Sequence, residues 1–398
     1  MNLKKSGFFV IIVYLLIIGQ IFQVFKQITQ IGTFWPSVIL LMIYTIIYNP
    51  IAFLKNTNLR VFLLFFVIII YDNADHLNNL PEVVLNPFGL FSMIFPFFIL
   101  VLLLENLQVT NYNDEKVISN IGKFSTIIFI VSVAISLISE IKYPGISREK
   151  DKIILSTWAW SLSFGAIYSL PFLLMTFIAL YKGKTSKLWL ISILILGLLI
   201  AMGFLTALFL TMMALIVGLL FRFRKKKYYA VSIIVILIGL FSLSSLNTFI
   251  DYLPQLPNAI YQEKAKDLSV ISQTRGTNNI IAGTRQGVYE ASIRAIRKNP
   301  IFGTGDFNKV GQHSFWLDRF GFIGIFGTSF YIIVILGLFQ KARKLLTDSE
   351  NQFYKLMISL VIGLLFLNPI EWPDFWLVIF FLIPSIIVYL RRESKPIS

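Results

Sequence analysis

Apolar residues run through this chain in long blocks, broken by short polar connectors. The blocks fall at 7–25, 34–54, 59–71, 88–104, 121–139, 157–181, 187–202, 204–221, 228–246, 315–339, 353–369 and 373–390. Most match the roughly 20 residues that an α-helix needs to cross a bilayer. The 59–71 block is short and fits a tilted span or one that continues toward Asp75. The apolar stretch 186–221 would reach about 54 Å as one helix at about 1.5 Å per residue. It therefore predicts two short helices split near Ala201–Gly203. The pattern predicts an all-α, polytopic membrane protein of about 12 transmembrane helices. Its organisation is 1–246 with nine spans, an insertion over 247–314, and 315–398 with three spans and a tail.

Composition agrees with that reading: 57% of residues are hydrophobic and only 14% charged, where soluble domains carry about 25% charge. The first apolar block follows Lys4 and Lys5 with no small-residue cleavage site after it, which predicts a retained first span. A net charge of +15 raises the thought of nucleic acid, but its distribution points elsewhere. If both termini are cytoplasmic, the inner segments carry 21 of the 35 basic residues. The short outer segments carry Lys26, Lys142, Arg148, Lys150 and Lys152 only. That bias predicts cytoplasmic termini and an outward-facing 247–314 loop. The 72–87 loop, with three acids and no Lys or Arg, fits the same side. The basic cluster at 142–152 runs against the trend. It is either a solvated turn offset by Glu149 and Asp151, or a source of charge, through Arg148, for an anionic site. With no cysteine in the chain, disulfides, thiolate metal sites and cysteine nucleophiles are excluded.

The insertion holds the densest polar chemistry. Pro254, Pro257 and a charged run with Arg275 read as surface. Gly283 or Thr284 can cap a helix that ends near Lys298, because Asn299 precedes Pro300. On it Arg285, Tyr289, Ser292 and Ile296 share one face. Glu290 and Arg294 make an i,i+4 pair, which favours a solvated role for Arg294. Lys298 suits the negative helix end. Arg285 differs: it sits in the first turn, where free amides already favour an anion, so a bound phosphate there is one reading. Gly303 and Gly305 both permit positive φ. His313 is either a hydrogen-bonded interfacial residue or a general base, since imidazole exchanges protons near neutral pH. Asp318 and Arg319, at the edge of a span, predict a local pair or cavity lining. His76 with Asp72 and Asp75 reads as an exposed polar loop more readily than a metal site, and no Asp-x-Asp metal motif lies on an outer loop.

These residues fall in an order that resembles the O-antigen polymerase and O-antigen ligase superfamily, membrane glycosyltransferases of the C type. The matching pieces are Gly283-Thr284-Arg285, Tyr289, the run Asn299-Pro300-Ile301-Phe302-Gly303-Thr304-Gly305, His313-Ser314, and Gly324-Ile325-Phe326-Gly327. The sequence departs from the family in two places. Gly203–Thr206 stands where many relatives carry a Ser-Arg, and Phe322 stands where many carry an acid. The first departure leaves room for Arg148 or Arg275 as a substitute cation. The resemblance implies sugar transfer outside the plasma membrane, with an undecaprenyl-pyrophosphate-linked oligosaccharide as donor and acceptor and with no metal or other cofactor. It implies His313 and Arg285 as catalytic residues. Arg285, Arg294, Arg297, Arg148 and Arg275 become candidates for pyrophosphate, and Tyr289, Gly303, Gly305, Ser314, Asp318 and Arg319 become supporting residues. Membrane lipid, a chain-length regulator and a flippase are the partners that go with it; nucleic acid is not. A ligase that passes finished glycan to another acceptor shares every one of these residues. A lipid-linked-oligosaccharide flippase or transporter has a similar number of spans, but few charges lie inside the spans here. A non-catalytic scaffold for envelope assembly is a further reading.

Overall fold

The computed structural model describes residues 2–21, 34–50, 90–109, 115–146, 161–183, 185–222, 285–305, 309–367 and 372–394. Among these residues every regular element is a helix. In chain order they are α1 (Asn2–Ile21), α2 (Phe34–Tyr48), α3 (Leu90–Val109) and α4 (Glu115–Lys142). Next come α5 (Phe164–Leu180), α6 (Thr185–Met202), α7 (Leu205–Arg222) and α8 (Arg285–Lys298). The last are α9 (Phe315–Arg343), α10 (Asp348–Leu367) and α11 (Pro373–Glu393). α4, α6, α9 and α11 are long and apolar enough to cross a membrane, and shorter apolar helices occupy α1, α2, α3, α5 and α7. The chain is a helical membrane protein. The blocks at 59–71 and 228–246 lie outside the described residues.

Three boundaries depart from the apolar pattern. α2 stops at Tyr48 although the apolar block runs on to 54. Asn49 precedes Pro50, and the proline ring pushes its neighbour out of the helical region. α5 starts at Phe164, not 157; the Ser163 hydroxyl accepts from the Ala166 amide and so caps the first turn. α9 is not straight, since Gly324 sits at φ 67° and ψ −175° inside it. The split between α6 and α7 falls where the sequence predicts it, at Gly203 with φ 66°.

The helices gather into two compact units. The first contains α1, α2, α3, the start of α4, α8, α9, α10 and most of α11. α11 is its most buried helix. Within α11 a π-turn over Val378–Leu382 precedes Pro384, which has no amide to donate. The Ile383 amide reaches back to Val378, so the Ile379 carbonyl loses its usual partner. The Tyr354 hydroxyl of α10 donates to that carbonyl at 3.0 Å, which is how a bulged helix keeps its polar groups satisfied in an apolar core. α4 crosses α11 so closely that a Cβ on Gly122 would overlap the Ser385 carbonyl. Asn106 of α3 donates to the Thr45 hydroxyl of α2, and Lys341 of α9 pairs with Glu105 of α3. The second unit contains the rest of α4 with α5, α6 and α7. There Arg222 donates to the Ile178 carbonyl, joining the end of α7 to α5.

Candidate functional site

α8 and the two loops that follow it form one polar assembly on the first half of α9. α8 starts at Arg285 and ends at Lys298, as its sequence predicts. Ser292 and Ala295 are buried, Val288, Tyr289 and Ile296 half-buried, and Arg294, Arg297 and Lys298 exposed. The buried stripe rests on α9 at Gly321. A Cβ there would meet Val310, come within 3.1 Å of the Ala295 Cβ and within 3.2 Å of the Ser292 carbonyl. A glycine lets two helices approach this closely.

Ser292 is the hub of the contact. Its hydroxyl donates to Asp318 Oδ1 at 2.6 Å and accepts from the Gly311 amide at 2.9 Å. Asp318 Oδ2 accepts from the Ser314 amide at 2.8 Å. The Ser314 hydroxyl in turn caps α9 by accepting from the Leu317 amide. Asp318 is 1% exposed, so its carboxylate reaches no solvent. It organises the 311–314 loop from beneath. Gln312 takes φ 58° in that loop, and His313 is presented outward, exposed. Gly311 lies against α8; a Cβ on it would overlap the Val288 carbonyl. The loop carrying His313 is thereby held beside the first turns of the helix that begins at Arg285. Free amides at such a helix start favour an anion.

A second contact joins the Asn299–Gly305 turn to the kink in α9. Thr304 and Gly305 donate to the carbonyls of Gly321 and Phe322 at 2.9 and 3.0 Å. Ile325 and Phe326 donate to the carbonyls of Pro300 and Ile301 at 2.9 and 3.1 Å. These four bonds take up the two carbonyls and two amides that the kink leaves without their i→i−4 partners in α9. The Thr328 hydroxyl supplies a donor to the Gly324 carbonyl at 2.7 Å. Gly303, Gly305 and Gly324 all have positive φ. At Gly303 and Gly324 a Cβ would strike the opposing backbone as well. The two glycine motifs, 19 residues or more apart in sequence, are thus the halves of one joint.

The expected residues separate into distinct places. Arg285 opens α8. Arg294 pairs with Glu290 at 3.7 Å on the solvent side, as the i,i+4 spacing predicts. Asp318 and Arg319 do not line an open cavity. Both are buried, with Asp318 bound to Ser292 and Ser314 and the Arg319 guanidinium 5.2 and 5.5 Å from the ring centres of Phe315 and Tyr331. Burial beside aromatic faces suits a guanidinium better than an ammonium. Phe97 and Trp376 extend that aromatic cluster, with ring centres 4.9 Å apart. Arg148, Arg275, Gly283, Thr284, Asp72, Asp75 and His76 lie outside the described residues. Sequence reasoning placed Ser292 on the Arg285 face but missed its role as a hub; a hydroxyl in the apolar stripe of an amphipathic helix was the available signal. Gly311 and Gly321 were missed as contact glycines.

Compared with models of known protein families the chain matches none, and no curated protein matches its sequence.

Proposed function

We propose that this protein is a polysaccharide repeat-unit polymerase of the O-antigen polymerase and ligase type. It joins undecaprenyl-pyrophosphate-linked oligosaccharides at the outer face of a bacterial plasma membrane. In this reading about 12 spans leave both termini cytoplasmic and the 247–314 loop outside. The observation that carries the proposal is convergence. Among the described residues, the pieces from Arg285 onward that resemble the family lie in one assembly, with the exposed His313 loop packed beside the first turns of α8. That arrangement suits transfer from a diphosphate donor.

His313 accepts the proton of the acceptor hydroxyl as its oxygen attacks the anomeric carbon. The bond from that carbon to the pyrophosphate oxygen breaks, and the diphosphate leaves with the electron pair. Arg285 and the amides of the first turn of α8 receive the growing charge. Arg297, Arg294, Arg148 and Arg275 are the further cations within this scheme, and Tyr289 lies on the Arg285 face of α8. Asp318, through Ser292 and Ser314, keeps the imidazole loop in place and touches no substrate.

The test is incubation of the purified, reconstituted protein with a lipid-linked repeat unit. A ladder of products separated by one repeat supports the proposal. A single transfer to a different acceptor marks a ligase. Movement of unaltered substrate across the vesicle wall, with no ladder, marks a transporter and overturns the enzymatic reading.

A further inference from the structure

The Asn299–Gly305 turn directs several backbone polar groups onto α9 and two apolar side chains outward. Ile301 is 58% exposed and Phe302 67%. Their surface continues onto α9, where Ile325 and Phe326 are also exposed. The Phe302 and Phe326 ring centres lie 6.0 Å apart, and those of Phe326 and Phe330 5.2 Å apart. Exposed apolar side chains on a membrane span simply face lipid. On a turn they need another reason, since irregular backbone in hydrocarbon is tolerated only when its polar groups are satisfied by protein. This turn meets that condition where it faces α9. Its Thr304 and Gly305 amides and its Pro300 and Ile301 carbonyls are all spent on α9, and the Gly303 amide donates to Asn299.

The last turn of α8 adds charge at the edge of the same surface. Arg297 and Lys298 are exposed there, one to two residues before Asn299. Cations bordering an apolar surface match an amphiphile with an anionic head and a hydrocarbon tail. A guanidinium fork suits phosphate oxygens. We propose that the α8–α9 turn is a membrane wedge. Ile301 and Phe302 enter the hydrocarbon edge of the bilayer, and Arg297 and Lys298 bind the phosphate of an anionic phospholipid. The wedge shares Arg297 with the candidate cations of the glycosyl-transfer reading, but its test reads lipid contact and needs no transfer.

The chain has no cysteine, so Phe302→Cys and Lys298→Cys each give one attachment point. In nanodiscs, a nitroxide at 302 is expected to collide with oxygen more than with a water-soluble nickel chelate, and one at 298 to show the reverse. A label at 302 that meets the chelate as readily as one at 298, or that meets neither reagent because protein covers it, overturns the wedge. A fluorophore at 302 then reports the lipid. Brominated phosphatidylglycerol is expected to quench it at a lower mole fraction than brominated phosphatidylcholine, by about fivefold for each cation engaged. With Arg297→Gln and Lys298→Gln together the two curves are expected to coincide. Curves that coincide without those substitutions, or a preference that persists with them, overturn the phospholipid site.

Discussion

The Asn299–Gly305 turn and the Gly311–Ser314 loop are fastened to the same helix by different chemistry. The turn is held backbone to backbone, and its requirement is the absence of side chains at Gly303 and Gly324. The loop is held by one buried carboxylate and one hydroxyl, Asp318 and Ser292. The difference follows from what each segment presents. The turn exposes Ile301 and Phe302, so its backbone must be satisfied from within. The loop exposes His313, and a carboxylate that accepts its amides fixes its course while leaving the imidazole outward. A structure can therefore lose one fastening and keep the other.

Breaking the backbone joint has the largest expected effect. Gly303→Ala or Gly324→Ala adds a Cβ into opposing backbone at positive φ, and the cost is expected to be on the order of 4 kcal/mol. Folded yield and melting in detergent, read by fluorescence size exclusion, check it. Breaking the carboxylate joint comes next. Asp318→Ala leaves Ser292 and the Ser314 amide without their acceptor and is expected to cost about 3 kcal/mol. Hydrogen exchange sharpens the contrast: the amides of Gly311 and Ser314 are expected to exchange faster in this variant while those of Thr304 and Gly305 keep their protection. Gly305→Ala is expected to cost only about 1 kcal/mol, because its φ is 66° but nothing lies within 4 Å of the added Cβ. A cost equal to that of Gly303→Ala would show that positive φ, and not contact with α9, governs the turn. Smallest is Glu290→Gln on the exposed pair with Arg294, expected to move stability by less than about 0.5 kcal/mol.

Local signals were legible and long-range ones were not. The end of α8 before Pro300, the break at Gly203 and the i,i+4 pair of Glu290 with Arg294 each depend on residues a few positions apart. The same proline rule, applied at Asn49–Pro50, would have shortened α2. The Ser292–Asp318 bond joins residues 26 apart, and nothing in a single sequence says which acid an internal serine will meet. Gly303 was recognisable as a turn glycine. That its partner is the kink at Gly324 depends on how α8 lies on α9, which periodicity does not encode. Adjacency makes Asp318 and Arg319 electrostatic neighbours, but it does not reveal their other contacts. Consecutive helical residues point about 100° apart, and here the carboxylate also accepts from Ser292 and the Ser314 amide while the guanidinium lies beside Phe315 and Tyr331.

In the proposed reaction the His313 loop and the start of α8 act together in glycosyl transfer. The direct measurement is the initial rate of ladder formation from a lipid-linked repeat unit by wild-type, His313→Ala and Arg285→Ala proteins of matched melting temperature. A rate lower by about a hundredfold or more is expected in each variant, with the proteins equally folded. Ladders from both variants at the wild-type rate would contradict it.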